Sequence, residues 1–134
     1  MNKSFDKYSN KKFEYSLIKL FEMIRKRPKV YLGEKSLSRL SCFINGATYM
    51  WREITEYSAD FISKFDRFVH QKYNDNTTKR FEGIIQSYSK NDEEAFDTYF
   101  ELLNEYLALS EEEQNKYIPQ YIKEQMQSSE KSAN

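Results

Sequence analysis

The chain reads as an all-α, single-domain bundle of five or six helices, and three observations predict that class. Apolar residues recur at spacings of three and four along most of its 134 residues, the period of one face of an α-helix. No stretch alternates polar and apolar residues for long enough to make a half-buried strand. Only 3 glycines and 2 prolines punctuate the sequence, so breaks between elements are few. A chain of this length buries roughly two-thirds of the surface its unfolded form exposes, enough for one core without staples. The helical domain is expected over residues 11–127, between a flexible N-terminus (1–10) and a disordered, polar tail (128–134).

The elements follow in order. Phe13, Leu17, Leu20, Phe21 and Ile24 share one helical face. That helix ends at Pro28, which disfavours helix in the residue before it. An elbow follows, with Gly33 free to take a left-handed turn and Tyr31 and Leu32 folding back onto the next helix. Ser36 is the N-cap of a central helix, in which Leu37, Leu40, Ile44, Ala47, Trp51 and Ile54 form a stripe widened by Phe43 and Met50. Such a stripe predicts burial on most sides, with Trp51 as packing. Ser58 caps a third helix carrying Phe61, Phe65, Phe68 and Val69, and Asn74–Thr78 is a loop by composition. Phe81, Ile84, Ile85 and Tyr88 make a short fourth helix. Asn91 then precedes three acids where a helix dipole favours negative charge, opening a fifth helix that buries Phe96, Tyr99, Phe100, Leu103 and Leu107. Ser110 with Glu113 is a capping box for a sixth, carrying Tyr117, Ile118, Tyr121 and Ile122 and interrupted at Pro119.

The inventory for catalysis is thin. His70 and Cys42 are the single histidine and cysteine, so histidine/cysteine metal sites and Cys-His pairs have little to draw on. His70, with Asp66 four residues earlier, reads as a surface histidine beside a carboxylate. Three scattered glycines cannot build a phosphate-cradling loop. No enzyme activity, cofactor or metal is expected. One unpaired cysteine, no signal-peptide pattern and no apolar run near the ~20 residues that span a bilayer point to the cytoplasm, with no membrane partner.

Charge is segregated although the formal total is zero. Residues 1–40 carry a net +7, residues 41–90 +1 and residues 91–134 −8. From Asn91 to Asn115 there are nine Asp/Glu and no Lys or Arg. Glu93, Asp97, Glu101 and Glu105 are spaced by four, with Asp92 and Glu94 beside them. Like charges at that spacing cost roughly 0.2–0.5 kcal/mol per pair in an isolated helix. Two readings stay open: a stripe that meets a basic partner, or a solvated face that pairs with the basic first helix. A secondary candidate is the basic elbow of Arg25, Arg27, Lys29, Tyr31 and Lys35. Cations beside an aromatic suit phosphate backbones, although the acidic last third opposes nucleic acid. Arg25 and Arg27 also suit the carbonyls that end the first helix.

The string RKRPKVYLGEKSLSRLSCFINGA, Arg25 to Ala47, carries two resemblances. Its first half resembles the RKRPGMYIG segment of gyrase B and related ATPase domains. Those domains also need an Asp-x-Gly-x-Gly stretch and glycine-rich lid loops, which are missing here, and Lys29 stands where they have glycine. The whole string is closer to small bacterial proteins opening with an RxRPxMYLGEKSLxxLxxFLxGY-like segment. The later patterns Phe65-Asp-Arg-Phe-Val-His-Gln-Lys-Tyr73, Ile84-Ile85 and Asn91 to Tyr106 extend that likeness over about residues 20–107. Some of those proteins look like immunity proteins of contact-dependent growth inhibition and other polymorphic toxin systems. This chain departs with Lys29-Val30 for the usual Gly-Met and with Ala47-Thr48 where a tyrosine is common. The resemblance implies a protein that binds and neutralises a cognate toxin domain, and the acidic stripe would suit one with a basic surface such as a nuclease. The alternative is a nucleic-acid-associated or regulatory helical protein acting through the elbow.

Overall fold

The computed structural model describes residues 7–55 and 60–117. Among them the chain is an all-α bundle of seven helices without a strand: α1 (Lys7–Lys26), α2 (Pro28–Leu32), α3 (Leu37–Thr55), α4 (Asp60–Lys72), α5 (Phe81–Ser87), α6 (Asp92–Leu107) and α7 (Glu111–Asn115). The helix beyond the expected number is α2, a five-residue piece inside the elbow. Pro28 stands in its first turn, where a missing N–H costs nothing and the fixed φ suits a helix. Gly33 ends it at φ 82°, with its N–H donating to the Lys29 carbonyl at 3.0 Å. Ser58, Ile118, Pro119, Tyr121 and Ile122, and most of both expected flexible ends, lie outside the described residues. α1 begins at Lys7, ahead of the expected boundary at residue 11.

The core is aromatic. Phe65 of α4 is fully buried, ringed by Phe61, Phe68, Phe81, Tyr99 and Tyr106 at centroid distances of 5.5–6.3 Å. Most of these pairs meet edge to face, an arrangement aromatic quadrupoles favour. Phe21 of α1 joins edge-on to Tyr99 at 6.1 Å, and Leu37, Leu40 and Ile44 close the core from α3.

Four expectations need correction. Met50 and Ile54 are 54% and 56% exposed, so apart from Thr55 at its end α3 is deeply buried along its N-terminal half, where it meets α5 and α6. Farther along, Trp51 is half-buried and stacks flat on Phe13 of α1 at 4.4 Å. Leu32 folds into the core as expected, but Tyr31 stays exposed because the α2 turn directs it elsewhere. His70 is buried rather than on the surface. The chain after α4 doubles back over it, so Nδ1 lies 2.9 Å from the Asp75 carbonyl and Nε2 3.4 Å from Asp66.

Three helices begin under a carboxylate borrowed from another helix. Glu14 of α1 accepts from the Phe61 N–H of α4 at 2.8 Å. Asp66 of α4 accepts from the Phe81 N–H of α5 at 2.7 Å, and the N-cap residue of α5, Arg80, makes no capping bond of its own. Asp92 of α6 accepts from the Ser38 N–H of α3 with both oxygens at 3.3 Å. Each carboxylate satisfies a donor with no partner inside its own helix and faces the positive end of a helix dipole. Tertiary packing and helix initiation are thereby coupled.

Candidate partner-binding surface

The six acids expected to meet a partner all fall on α6, and local sequence sets that helix in place. The Asn91 side chain accepts from the Glu94 N–H at 2.8 Å, an N-cap bond. Asp92, Glu93 and Glu94 then occupy the first turn, where the dipole favours them. Ala95, Phe96, Tyr99, Leu102, Leu103 and Tyr106 turn into the core, which leaves the acidic stripe outward.

The structure divides these acids by what they touch. Asp92 is turned inward, accepting from the Ser36 hydroxyl, from Ser38 through N–H and Oγ, and from Gln86 Nε2 at 3.0 Å. Burial pushes its carboxyl up, but bonds from Ser36, Gln86 and Ser38 outweigh that and hold it below the ordinary 3.8. Asp97 pairs with Lys35 of the elbow at 2.8 Å, and Glu105 with Lys72 of α4 at 2.8 Å. Glu93, Glu94 and Glu101 are exposed and make no ion pair among the described residues. The cations that reach the stripe come from the elbow and α4. Among the described residues α1 contributes only Lys11, 3.8 Å from Glu111 beyond the stripe.

The basic elbow does not assemble into one patch. Arg25 is paired with Glu22 one turn earlier and Lys35 with Asp97. Arg27, Lys29 and Tyr31 are exposed. The carbonyl that ends α2, that of Leu32, is held by Arg39 at 2.7 Å, while Arg25 spends its guanidinium on Glu22.

One pair of residues belongs to the acidic surface without having been a sequence candidate. Tyr73, just after α4, stacks on Tyr88, just after α5, at 4.7 Å and 20°. Tyr88, expected on the apolar pattern of the fourth helix, is 61% exposed, because α5 stops at Ser87 and the ring leaves the helical face. Burial, with Glu101 and Glu105 nearby, pushes the Tyr73 phenol above its ordinary 10.0, which places the ring pair beside the second half of the stripe. Nothing in the spacing of Tyr73 and Tyr88 marks them as neighbours. Among the described residues no His, Cys, Asp and Glu cluster suits a metal ion, and no helix is long and apolar enough to cross a membrane.

Comparison with protein-family models, with curated proteins and with solved structures returned no match to this chain.

Proposed function

We propose that this chain is an immunity protein that neutralises a cognate toxin domain, a nuclease or another protein with a basic surface, by stoichiometric contact. The observation that carries the reading is the outer face of α6. Glu101 sits mid-helix with no cation partner among the described residues, and Glu93 and Glu94 sit exposed upstream of it. Tyr73, stacked on Tyr88, lies near Glu101. Carboxylates without a cation partner among the described residues, near half-buried Tyr73 and exposed Tyr88, suit a partner rich in Lys and Arg. Charge would speed encounter and the rings would supply contact area. Asp97 and Glu105, already paired, act in this reading as the fixed borders of the surface.

The test is co-expression with a toxin domain encoded next to this chain. Wild type should restore growth and co-purify with the toxin at low salt, with binding weakening steeply as salt rises. A triple change of Glu93, Glu94 and Glu101 to Lys should abolish rescue while leaving helical circular dichroism unchanged. Full rescue by that variant would move the interface off α6. Exposure of Arg27, Lys29 and Tyr31 on one elbow favours the second reading, contact with nucleic acid. Salt-dependent retention on a DNA or RNA column, lost on changing Arg27 and Lys29 to Ala, would support it instead.

A further inference from the structure

A groove of about 310 Å³ runs between α1 and α6. Its floor is apolar, made by Ile18 of α1 and by Phe100, Leu103 and Leu107 of α6. Tyr15, 70% exposed, stands on one rim and exposed Asn104 on the other. On each wall the lining spans eight residues, Tyr15 to Glu22 and Phe100 to Leu107, or about 10 Å from first to last at the helical rise. Two turns of a third helix have that length, and two helical walls offer the ridges and grooves such a helix packs into. A helix also keeps its own backbone groups bonded over an apolar floor, as an extended segment there could not.

Charge narrows the occupant further. Asn104 and Asp97 are seven residues apart, which brings them within about 20° of one line along α6. The α6 wall therefore runs past Asp97, which Lys35 holds, to exposed Glu93, which makes no ion pair among the described residues. On the α1 wall Glu22 is tied to Arg25, which leaves Lys19 as the charge that faces an incoming chain.

Resting on the partner-binding reading above, we infer that the α1–α6 groove receives an amphipathic helix of the partner, with an apolar ridge in the groove and Lys or Arg along its α6-side flank. The ridge places side chains at i, i+3 or i+4, and i+7 against Ile18, Phe100 and Leu107, while the basic flank lies toward Glu93.

The probe is a synthetic eighteen-residue helix with leucines at those spacings and lysines along one flank, titrated into isotope-labelled full chain and followed by amide shifts. Shifts should gather over residues 15–22 and 100–107. The same peptide with a glutamate flank should bind at least tenfold more weakly. Asn104→Trp, which fills the groove from an exposed position, should cut affinity at least tenfold with the helical spectrum intact. Tyr15→Asp on the opposite rim should do the same. Shifts confined to Glu93 and Glu101, untouched by Asn104→Trp, would overturn the groove and leave the acidic-face reading standing. Groove-centred shifts with toxin binding indifferent to reversal of Glu93 and Glu101 would instead sink the acidic-face reading. Self-association of the free chain through the groove would overturn the proposed occupant.

Discussion

Replacing Asp92 with Ala should destabilise the bundle far more than an exposed surface acid would. The carboxylate accepts from Ser36, Ser38 and Gln86, joining the starts of α3 and α6 to α5. Ser36 is buried, so its hydroxyl loses the acceptor without gaining water, a loss of about 1–3 kcal/mol. Ser38 is exposed and recovers solvent, so its bonds add little. Removing one negative charge from two helix N-termini adds about 0.3–1 kcal/mol for each. The expected total of about 2–5 kcal/mol corresponds to a fall in Tm on the order of 10 °C for a domain of this size. Urea unfolding followed by circular dichroism measures it, and Ser36→Ala on the Asp92→Ala background should add much less than it does alone. pH supplies the sign. The folded carboxyl is held below its unfolded 3.8, so its contribution is complete above 3.8 and fades as pH falls through the lower folded value. The gap between wild type and variant should be equal at pH 7 and pH 5 and close in strong acid. Glu14 behaves oppositely: burial outweighs its bond from Phe61 and pushes it above 4.5. Its folded form holds the proton more tightly, so wild type should gain on Glu14→Gln as pH falls toward 4.5. A loss under about 0.5 kcal/mol for Asp92→Ala, below one ordinary hydrogen bond, would refute the inward role assigned to this acid.

Gly33→Ala should cost about 1–2 kcal/mol, because the position needs φ 82° and the new Cβ would stand 2.6 Å from Arg39 Nη1. Gly46→Ala is its control: a mid-helix glycine with nothing within 4 Å of the added carbon, where the change should stabilise by about 0.5–1 kcal/mol. Equal urea midpoints for the two variants would contradict the conformational argument. Tyr99→Phe should leave stability unchanged or raise it by up to about 1 kcal/mol, since the buried hydroxyl has no hydrogen-bond partner among the described residues. A clear loss in calorimetry would mean that the hydroxyl is satisfied after all.

Much of the fold was legible because its signals are local. Leu17, Phe21 and Ile24 repeat at helical spacing and are all buried. Gly33, Ser36, Asn91 and Ser110 act within three or four residues, and each does what its type favours: the Ser36 hydroxyl accepts from the Arg39 N–H at 3.1 Å and that of Ser110 from the Glu113 N–H at 3.1 Å. The long-range caps were not legible. Glu14 and Phe61 are separated by 47 residues, and Asp92 and Ser38 by 54, so nothing near either partner announces the bond. For the same reason Asp92 looked like one more member of an acidic run. His70 looked superficial because the chain that covers it comes afterwards. Met50 and Tyr88 show the opposite failure: periodicity says which face a residue occupies, but only packing decides whether anything covers that face.

The acidic segment is better understood as three kinds of carboxylate than as one stripe. Asp92 is used to start α3. Asp97 and Glu105, each one turn from Glu101, are held by Lys35 and Lys72, which relieves the repulsion that four like charges in register would impose. If neutralising the amino-terminal cations were the purpose of the segment, Glu101 would be the natural place for a third pair, since it lies between the other two. Its cation is missing among the described residues, while both its neighbours are fixed by ion pairs. Fixed borders around an unpaired charge limit the ordering a basic partner would have to impose on docking there.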